Sequence, residues 1–536
     1  MRQIKRSCEI FGLIALILFL LSCAQLPANF KMNPSYVLQD TDDTILAKQA
    51  RENSVDNKHL SSMYLIGNGI DAFVVRASLL AMAEKSIDVQ YYIWRSDLIG
   101  KLIFDGLLKA ADRGVRVRIL IDDMPIDKET ESILYALDQH ENIEVRLFNP
   151  FATRGFRLVD YITSPARINR RMHNKSFTVD NQFTVIGGRN IGNEYFSADD
   201  VSDFVDLDVL ASGVIVGDVG KQFDAYWNSQ VVYPVSVFDH NQATTEDLLL
   251  LRTDLNEFSR SNKNSQYHLD VKDSEMYQSI VRGSLDKDQK SRVFSGTVKV
   301  VYDDPKKGLG KTENDIVYLK NMVLSYVGDI NKSFEIISPY FVPGSRGVEF
   351  LTGLVKKGVK VRVVTNSLSS SDVLIAQSGY SRRRYELLEG GVELYELKTR
   401  FKTKLSKSLR RGDKAKSALH AKTYIFDRQQ VFIGSFNFDQ RSANINAEVG
   451  VVFDVPEMAE SIASFLFDKA VEDIAYQVKI ADRDIVTADT EIEKGEVYWI
   501  ETNNNKQSYY DKEPKTGFWR RFGQGFFSIM PIESQL

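Results

Sequence analysis

RMHNKSFTVDNQFTVIGGRN occupies Arg171–Asn190, and LHAKTYIFDRQQVFIGSFN occupies Leu419–Asn437. The second stretch repeats the skeleton of the first. His173, Lys175, Asp180, Gly187 and Asn190 match His420, Lys422, Asp427, Gly434 and Asn437 at one offset, 420 − 173 = 247 residues. Upstream, Lys85-Ser86-Ile87 corresponds to Lys332-Ser333-Phe334 at the same offset, 332 − 85 = 247. Self-similarity over this range indicates two copies of one domain, each supplying half of a site.

Working outward, His-x-Lys opens a short β-run in each copy (HNKSFTV, HAKTYIF). Residues i and i+2 of a strand share a face, so His173 projects with Lys175 and His420 with Lys422. Asp180 and Asp427 fall in polar turns, where a structural role outweighs proton transfer, although both stand with the candidate catalytic set. Gly187-Gly188 and Gly434-Ser435 let the chain approach a ligand closely, and Asn190 and Asn437 follow as amide donors. Imidazole, two lysines and short polar donors suit a tetrahedral phosphate diester, the lysines facing its nonbridging oxygens. Two histidines divide the work, one attacking phosphorus and the other protonating the leaving alcohol. A carboxylate behind each ring would fix its tautomer. Glu448, 28 residues after His420 (448 − 420), and its positional analogue Asp206 in the first half are the candidates.

These two units resemble the phospholipase D superfamily. The spans IDVQYYIW, ADRGVRVRILIDD, RRMHNKSF, GGRNIGNEYF and GSFNFDQRSANINAE are similar to its bacterial cardiolipin synthase branch, over roughly Ser62 to Ala475. The resemblance implies an α/β fold of two mixed-sheet sandwiches related by a pseudo-twofold axis, with one active site at their interface. It also implies a two-step phosphatidyl transfer without metal or other cofactor, His173 acting as nucleophile and His420 as acid and base. Expected partners are phospholipids (phosphatidylglycerol, with phosphatidylethanolamine as the other donor) and the membrane surface, with no nucleic acid. The variant with water as acceptor is a phospholipase D. A nuclease of the same superfamily and a non-catalytic lipid-binding protein are the further alternatives. Gly188 departs from its counterpart Ser435, which leaves one hydroxyl fewer on that side.

The flanking chain gives the expected division. Arg2, Lys5 and Arg6 precede the apolar run Ile10–Leu21, closed by Ser22-Cys23, so residues 1–23 read as an export signal. The context of Cys23 resembles a lipoprotein signal whose cysteine is lipidated, the alternative being an uncleaved anchor; either places the body on a membrane, outside the cytoplasm, with outer-membrane sorting a further expectation from Ala24. Cys8 and Cys23 are the only two cysteines, so a chain cleaved before Cys23 has no disulfide and no cysteine metal site. No HExxH or clustered Asp/Glu pattern suggests a metal. Residues 24–60 read as a linker with an entry helix, 61–237 as the first domain and 238–314 as a polar connection or small subdomain. Residues 315–480 form the second domain and 481–536 an extension. Within the domains the alternation of helices and strands argues a sheet covered by helices, with Ser62–Glu84 helical and Ile87–Trp94, Val115–Ile121 and Ile143–Phe148 as strands. In the extension, TGFWRRFGQGFFSIMP (Thr516–Pro531) mixes aromatics with arginines and reads as either interfacial or packed on its own domain.

With 68 basic and 72 acidic side chains, net −4, the chain is no wholesale polycation. Local basic stretches precede both motifs: Arg154, Arg157, Arg167, Arg170 and Arg171 before the first, and Arg400 to Lys416 before the second. Beside a phosphodiester site they suit anionic lipid headgroups as well as a solvated face. Of the six histidines, His59, His140, His240 and His268 stand in no constellation.

Overall fold

A computed structural model describes residues 26–28, 30–52, 59–239, 242–310, 318–327, 330–400, 415–487, 490–503 and 506–529. Cys23 with the rest of the export signal, His240, and Lys402 to Lys414 of the second basic stretch lie outside the described residues.

The repeat seen in the sequence is a repeat of topology. In the first half the strands run, across the sheet, Val232–Pro234, Ile143–Phe148, Arg116–Asp122, Ser86–Tyr91, Ser176–Val179, Phe183–Gly187, Asp208–Gly213 and Ser61–Ile66. The pairs among Ile143–Phe148, Arg116–Asp122 and Ser86–Tyr91 are parallel and the others antiparallel. The second half repeats this order and these senses with Ala475–Ile480, Glu393–Leu397, Lys360–Asn366, Ser333–Ile337, Thr423–Phe426, Gln430–Gly434, Val449–Asp454 and Val293–Tyr302.

One segment folds otherwise than its pattern suggests, and one resolves between the two readings it allowed. Ser62–Glu84, expected as one helix, divides into the strand Ser61–Ile66 and the helix Gly69–Met82, because Asn68 caps the helix by accepting from the backbone N–H groups of Ile70 and Asp71. The polar connection after Phe238 contains the helices Thr245–Ser261, Gln266–Asp273 and Glu275–Arg282 and then the strand that unites the molecule. Val293–Gly296 pairs with Tyr64–Ser61 of the first half and Thr297–Tyr302 with Asp454–Val449 of the second, giving one eighteen-stranded sheet among the described residues. Its burial alternates along most of its length, which hides it among charged residues in the sequence.

The central strands are buried on both faces, so they read as continuous apolar runs rather than alternating ones. Val185 packs in the core of the first half and Phe432 in that of the second. Their neighbours Ile186, Val431 and Ile433 turn to the opposite face and meet in a third core between the halves. That shared core holds the two motifs against each other.

Residues 33–37 do not run as a free linker. Ser35 is fixed by Asn228, Arg118 and Trp227, and the carbonyl of Asn33 accepts from Arg146. At the other end, Val497–Asn503 and Lys506–Tyr510 extend the sheet beyond Ala475–Ile480, and Phe518–Ile529 is a helix. Among the described residues no helix is long and apolar enough to cross a membrane.

Candidate active site

The residue before each motif histidine is tied to the other half of the chain. Met172 forms a parallel bridge with Ala447, and the backbone N–H of His173 donates to the Ala447 carbonyl at 2.7 Å. In the mirror arrangement, Lys416–Leu419 pairs in parallel with Ser202–Val205, and the N–H of His420 donates to the Val205 carbonyl at 2.8 Å. The next residue on each borrowed segment is therefore set beside the histidine. Glu448 follows Ala447, and its Oε2 lies 3.0 Å from Nδ1 of His173; Asp206 follows Val205, and its Oδ2 lies 2.7 Å from Nδ1 of His420. Spacing along the chain grouped each carboxylate with the histidine of its own half. The structure crosses them.

For His173 the tautomer follows from the contacts. Its Nδ1 faces two acceptors, Glu448 Oε2 and the Ser435 carbonyl at 3.1 Å, so Nδ1 carries the proton and Nε2 keeps the lone pair. The Ser435 hydroxyl donates to the same Glu448 oxygen at 2.5 Å and holds it in place. His420 has the Lys422 ammonium 3.1 Å from Nδ1 in addition to Asp206. Its ring is stacked on Phe204 at 5.4 Å and meets the edge of Tyr195 at 5.0 Å; His173 meets Tyr92 at 5.1 Å.

Burial dominates the electrostatics of both rings. It pushes His173 down to about 4, against the attraction of Glu448, with Lys175 adding to the depression. His420 is pushed down to about 3 by burial and then by Lys422, against Asp206. Burial would raise the two carboxyls, but their histidines and the lysines outweigh it: Asp206 is held down to about 2 and Glu448 below its ordinary value. Lys422 is lowered by burial to about 8 and Lys175 well below the lysine range. Each ammonium donates to the carbonyl of its own motif histidine, and each lysine acts on the histidine of the other motif as well. Two imidazoles, two ammonium groups and two carboxylates from both halves thus form one electrostatic cluster.

Other sequence candidates lie elsewhere. Asp180 and Asp427 stand at the far ends of strands Ser176–Val179 and Thr423–Phe426 from the histidines. The Asp180 carboxylate accepts from the N–H groups of Glu84, Lys85 and Ser86, and Asp427 from those of Asn331, Lys332 and Ser333. Both take positive φ, 50° and 52°, to reach them. They anchor the start of the neighbouring strand and touch no group of the cluster. Asn190 is committed to the Ile93 N–H and the Tyr195 hydroxyl, at 3.1 and 3.0 Å. Asn437 differs: its side-chain oxygen is buried without a hydrogen-bond partner. At Gly188 an added Cβ would lie 2.2 Å from Asp206 Oδ1, so glycine there makes room for the carboxylate. The arginines before the first motif are spent inside the fold, Arg154 on Asp123 and Glu131, Arg167 on Asp160, Arg171 on Asp122, and Arg157 and Arg170 on backbone carbonyls.

Sequence reasoning missed two residues that position the rings. Asp122 accepts the N–H of Met172 at 2.7 Å, and Asn366, at the same point of the repeat, accepts the N–H of Leu419 at 2.8 Å. Each ends a buried strand, Arg116–Asp122 or Lys360–Asn366; a polar residue closing an apolar run was the available signal. Among the described residues no three His, Cys, Asp or Glu side chains are arranged to hold a metal ion.

Comparison with known proteins matches residues 77–227 and 326–468 to a family described as "Cardiolipin synthase, PLD-like domain". Cardiolipin synthase C of Escherichia coli K12 is 40% identical over 473 residues, covering 88% of this chain and 95% of that one. An uncharacterised protein of Helicobacter pylori J99 is 30% identical over 530 residues, 98% and 99% of the two chains. Among solved structures, phosphatidylserine synthase of Haemophilus influenzae superposes with a TM-score of 0.51 at 14% identity, over 80% of this chain and 91% of that one, a likeness of fold. The chain belongs to the cardiolipin synthase branch of the phospholipase D superfamily and is an enzyme of that type.

Proposed function

We propose that the enzyme makes cardiolipin by carrying a phosphatidyl group on His173. The observation that carries this reading is the pair of acceptors on His173 Nδ1, which leaves Nε2 unprotonated and aimed by a fixed ring. Nε2 attacks the phosphorus of a donor phospholipid, the bond from phosphorus to the headgroup oxygen breaks, and His420 gives that oxygen its proton. The anionic diester arriving beside His420 favours the imidazolium that this step needs. A hydroxyl of phosphatidylglycerol then attacks phosphorus, its proton passes to His420, and the P–N bond to His173 breaks. Lys175 and Lys422 stabilise charge on the nonbridging oxygens. Phosphatidylglycerol or phosphatidylethanolamine serves as donor, and the relative named cardiolipin synthase C supports the choice of acceptor.

The division into two catalytic halves, a lipidated Cys23 and an exported, membrane-held body belongs to the same proposal. Since Leu26 already packs on the first core and Phe30 lies 4.9 Å from the Tyr233 ring, a lipid on Cys23 would hold the body close to the bilayer.

The test uses purified protein in vesicles of phosphatidylethanolamine and radiolabelled phosphatidylglycerol. Labelled cardiolipin that disappears in His173→Ala and in His420→Ala is the expected result. Phosphatidic acid without cardiolipin would make water the acceptor, and cardiolipin at the wild-type rate in His173→Ala would overturn the mechanism.

A further inference from the structure

The C-terminal helix Phe518–Ile529 is turned inside out. Its polar side faces the protein: Arg520 donates to the carbonyls of Leu368 and Ser371, and Gln524 is buried. Its aromatic side faces outward, with Phe518, Trp519, Phe522 and Phe526 between 56% and 79% exposed, at spacings that share one face. A soluble helix buries the apolar stripe instead. The helix also carries Arg520 and Arg521 with no acidic residue, and both guanidinium groups bond carbonyls, so among the described residues no carboxylate compensates their charge. Large aromatics with basic residues and no acids are the composition of a segment lying in the headgroup boundary of an anionic bilayer.

The position of the helix ties it to the site. It packs on helix Leu374–Ser381 and hangs from the loop through Leu368 and Ser371. In that loop Asp372 accepts from the Tyr340 hydroxyl at 2.9 Å and acts on the Lys422 ammonium. In the first half, the short helix Leu158–Thr163 is inverted in the same way. Its Asp160 is fully buried on the N–H groups of Ala152 and Thr153, while Leu158 and Ile162 are 54% and 74% exposed. Asp160 also pairs with Arg167 at 2.9 Å, in the segment that leads into His173. Apolar side chains therefore stand out from one helix of each half, and each helix hangs on a segment next to a motif: the loop after Asn366, which holds Leu419, and the run from Arg167 to His173.

We propose that these two helices form a membrane-docking rim that seats the active-site mouth on an anionic bilayer, with Trp519 and its neighbouring phenylalanines in the interface. The rim deepens the proposed function by giving the site its route to lipid, but it is measured independently of turnover. Trp519 is the reporter, since the other three tryptophans, Trp94, Trp227 and Trp499, are at most 3% exposed. Full-length protein is mixed with phosphatidylethanolamine–phosphatidylglycerol vesicles carrying brominated acyl chains. Emission that falls by about half in the wild type and not in Trp519→Phe is expected, because interfacial aromatics sit about 5–10 Å into the headgroup–acyl boundary. A triple variant, Phe518→Ser with Phe522→Ser and Phe526→Ser, is expected to lose about ten-fold in turnover on vesicles and nothing on a short-chain phospholipid dissolved as monomers.

Unquenched Trp519 in protein that is turning over vesicle lipid would overturn the rim. So would an equal loss on both substrates, or shielding of Trp519 that follows protein concentration without lipid, which would make the occupant a second copy. Quenching without any lipid turnover would support the rim while overturning the transferase reading.

Discussion

Glu448 lies 3.0 Å from Nδ1 of His173, a histidine 275 residues earlier in the other half of the chain. Neither half carries a complete histidine–carboxylate pair of its own, since His420 leans equally on Asp206, 214 residues before it. Removing either half leaves a buried carboxylate and a histidine without partners, so the halves are expected to be inactive when expressed apart and to recover activity only on association.

Glu448→Gln keeps the shape of the side chain and removes the charge that orients His173 and stabilises its cationic form. A fall of roughly 10²–10⁴-fold in kcat with little change in KM is expected, by analogy with carboxylate loss in hydrolase triads. Ser435→Ala, which removes only the hydroxyl holding Glu448, is expected to cost about ten-fold or less. Initial rates of cardiolipin formation check both.

Covalent chemistry is checked by acid- and base-quench trapping. With a phosphatidyl donor bearing a good leaving group, His420→Gln is expected to form and accumulate a base-stable, acid-labile label on His173. The first step then needs no proton from residue 420, while the second still needs its base. Label on residue 420 in a His173→Ala protein would reverse the assignment.

Asp180→Ala is expected to lower stability by about 3 kcal/mol through three orphaned N–H groups, and to leave the specific activity of the folded protein nearly intact. Asp427→Ala costs less, because two of its three partners, Asn331 and Lys332, lie at an exposed edge. Thermal melts paired with active-site titration separate the two effects. Gly188→Ser behaves oppositely, striking activity first by pushing Asp206 off His420.

Stability has a defined pH direction. The folded-state values of His173 and His420, about 4 and about 3, lie below the ordinary 6.5, so the unfolded chain binds more protons between those limits. Their contribution is fully present above about pH 6.5 and is lost as pH falls toward 4 and 3. Asp206, held at about 2 against 3.8, adds a further loss of the same sign as pH falls from 3.8 toward 2. Melting temperatures are expected to fall from pH 7 to 4, less steeply in a His173→Asn, His420→Asn double variant.

Much of the fold was legible in the chain. Five identities in register announced the duplication, and the runs Ile87–Trp94, Val115–Ile121 and Ile143–Phe148 announced strands of a sheet covered by helices. Ser61–Ile66 escaped because a short apolar run before a cap merges with the helix it precedes. Val293–Tyr302 escaped because a strand joining two halves has no local partner to mark it. The wrong expectation for the arginines before the first motif has a similar origin: charge is visible in sequence, but its partners, Asp122, Asp123 and Glu131, are brought by the fold.

By itself the sequence determined the chemistry present: two histidines, two lysines and two carboxylates, at spacings set by a repeated strand pair. Only the tertiary structure decided which carboxylate serves which histidine. The Met172–Ala447 bridge and the pairing of Leu419 with Val205 deliver Glu448 and Asp206 across the interface. Periodicity within one half cannot specify such contacts, because their geometry is fixed by the packing of one half's buried strands against the other's.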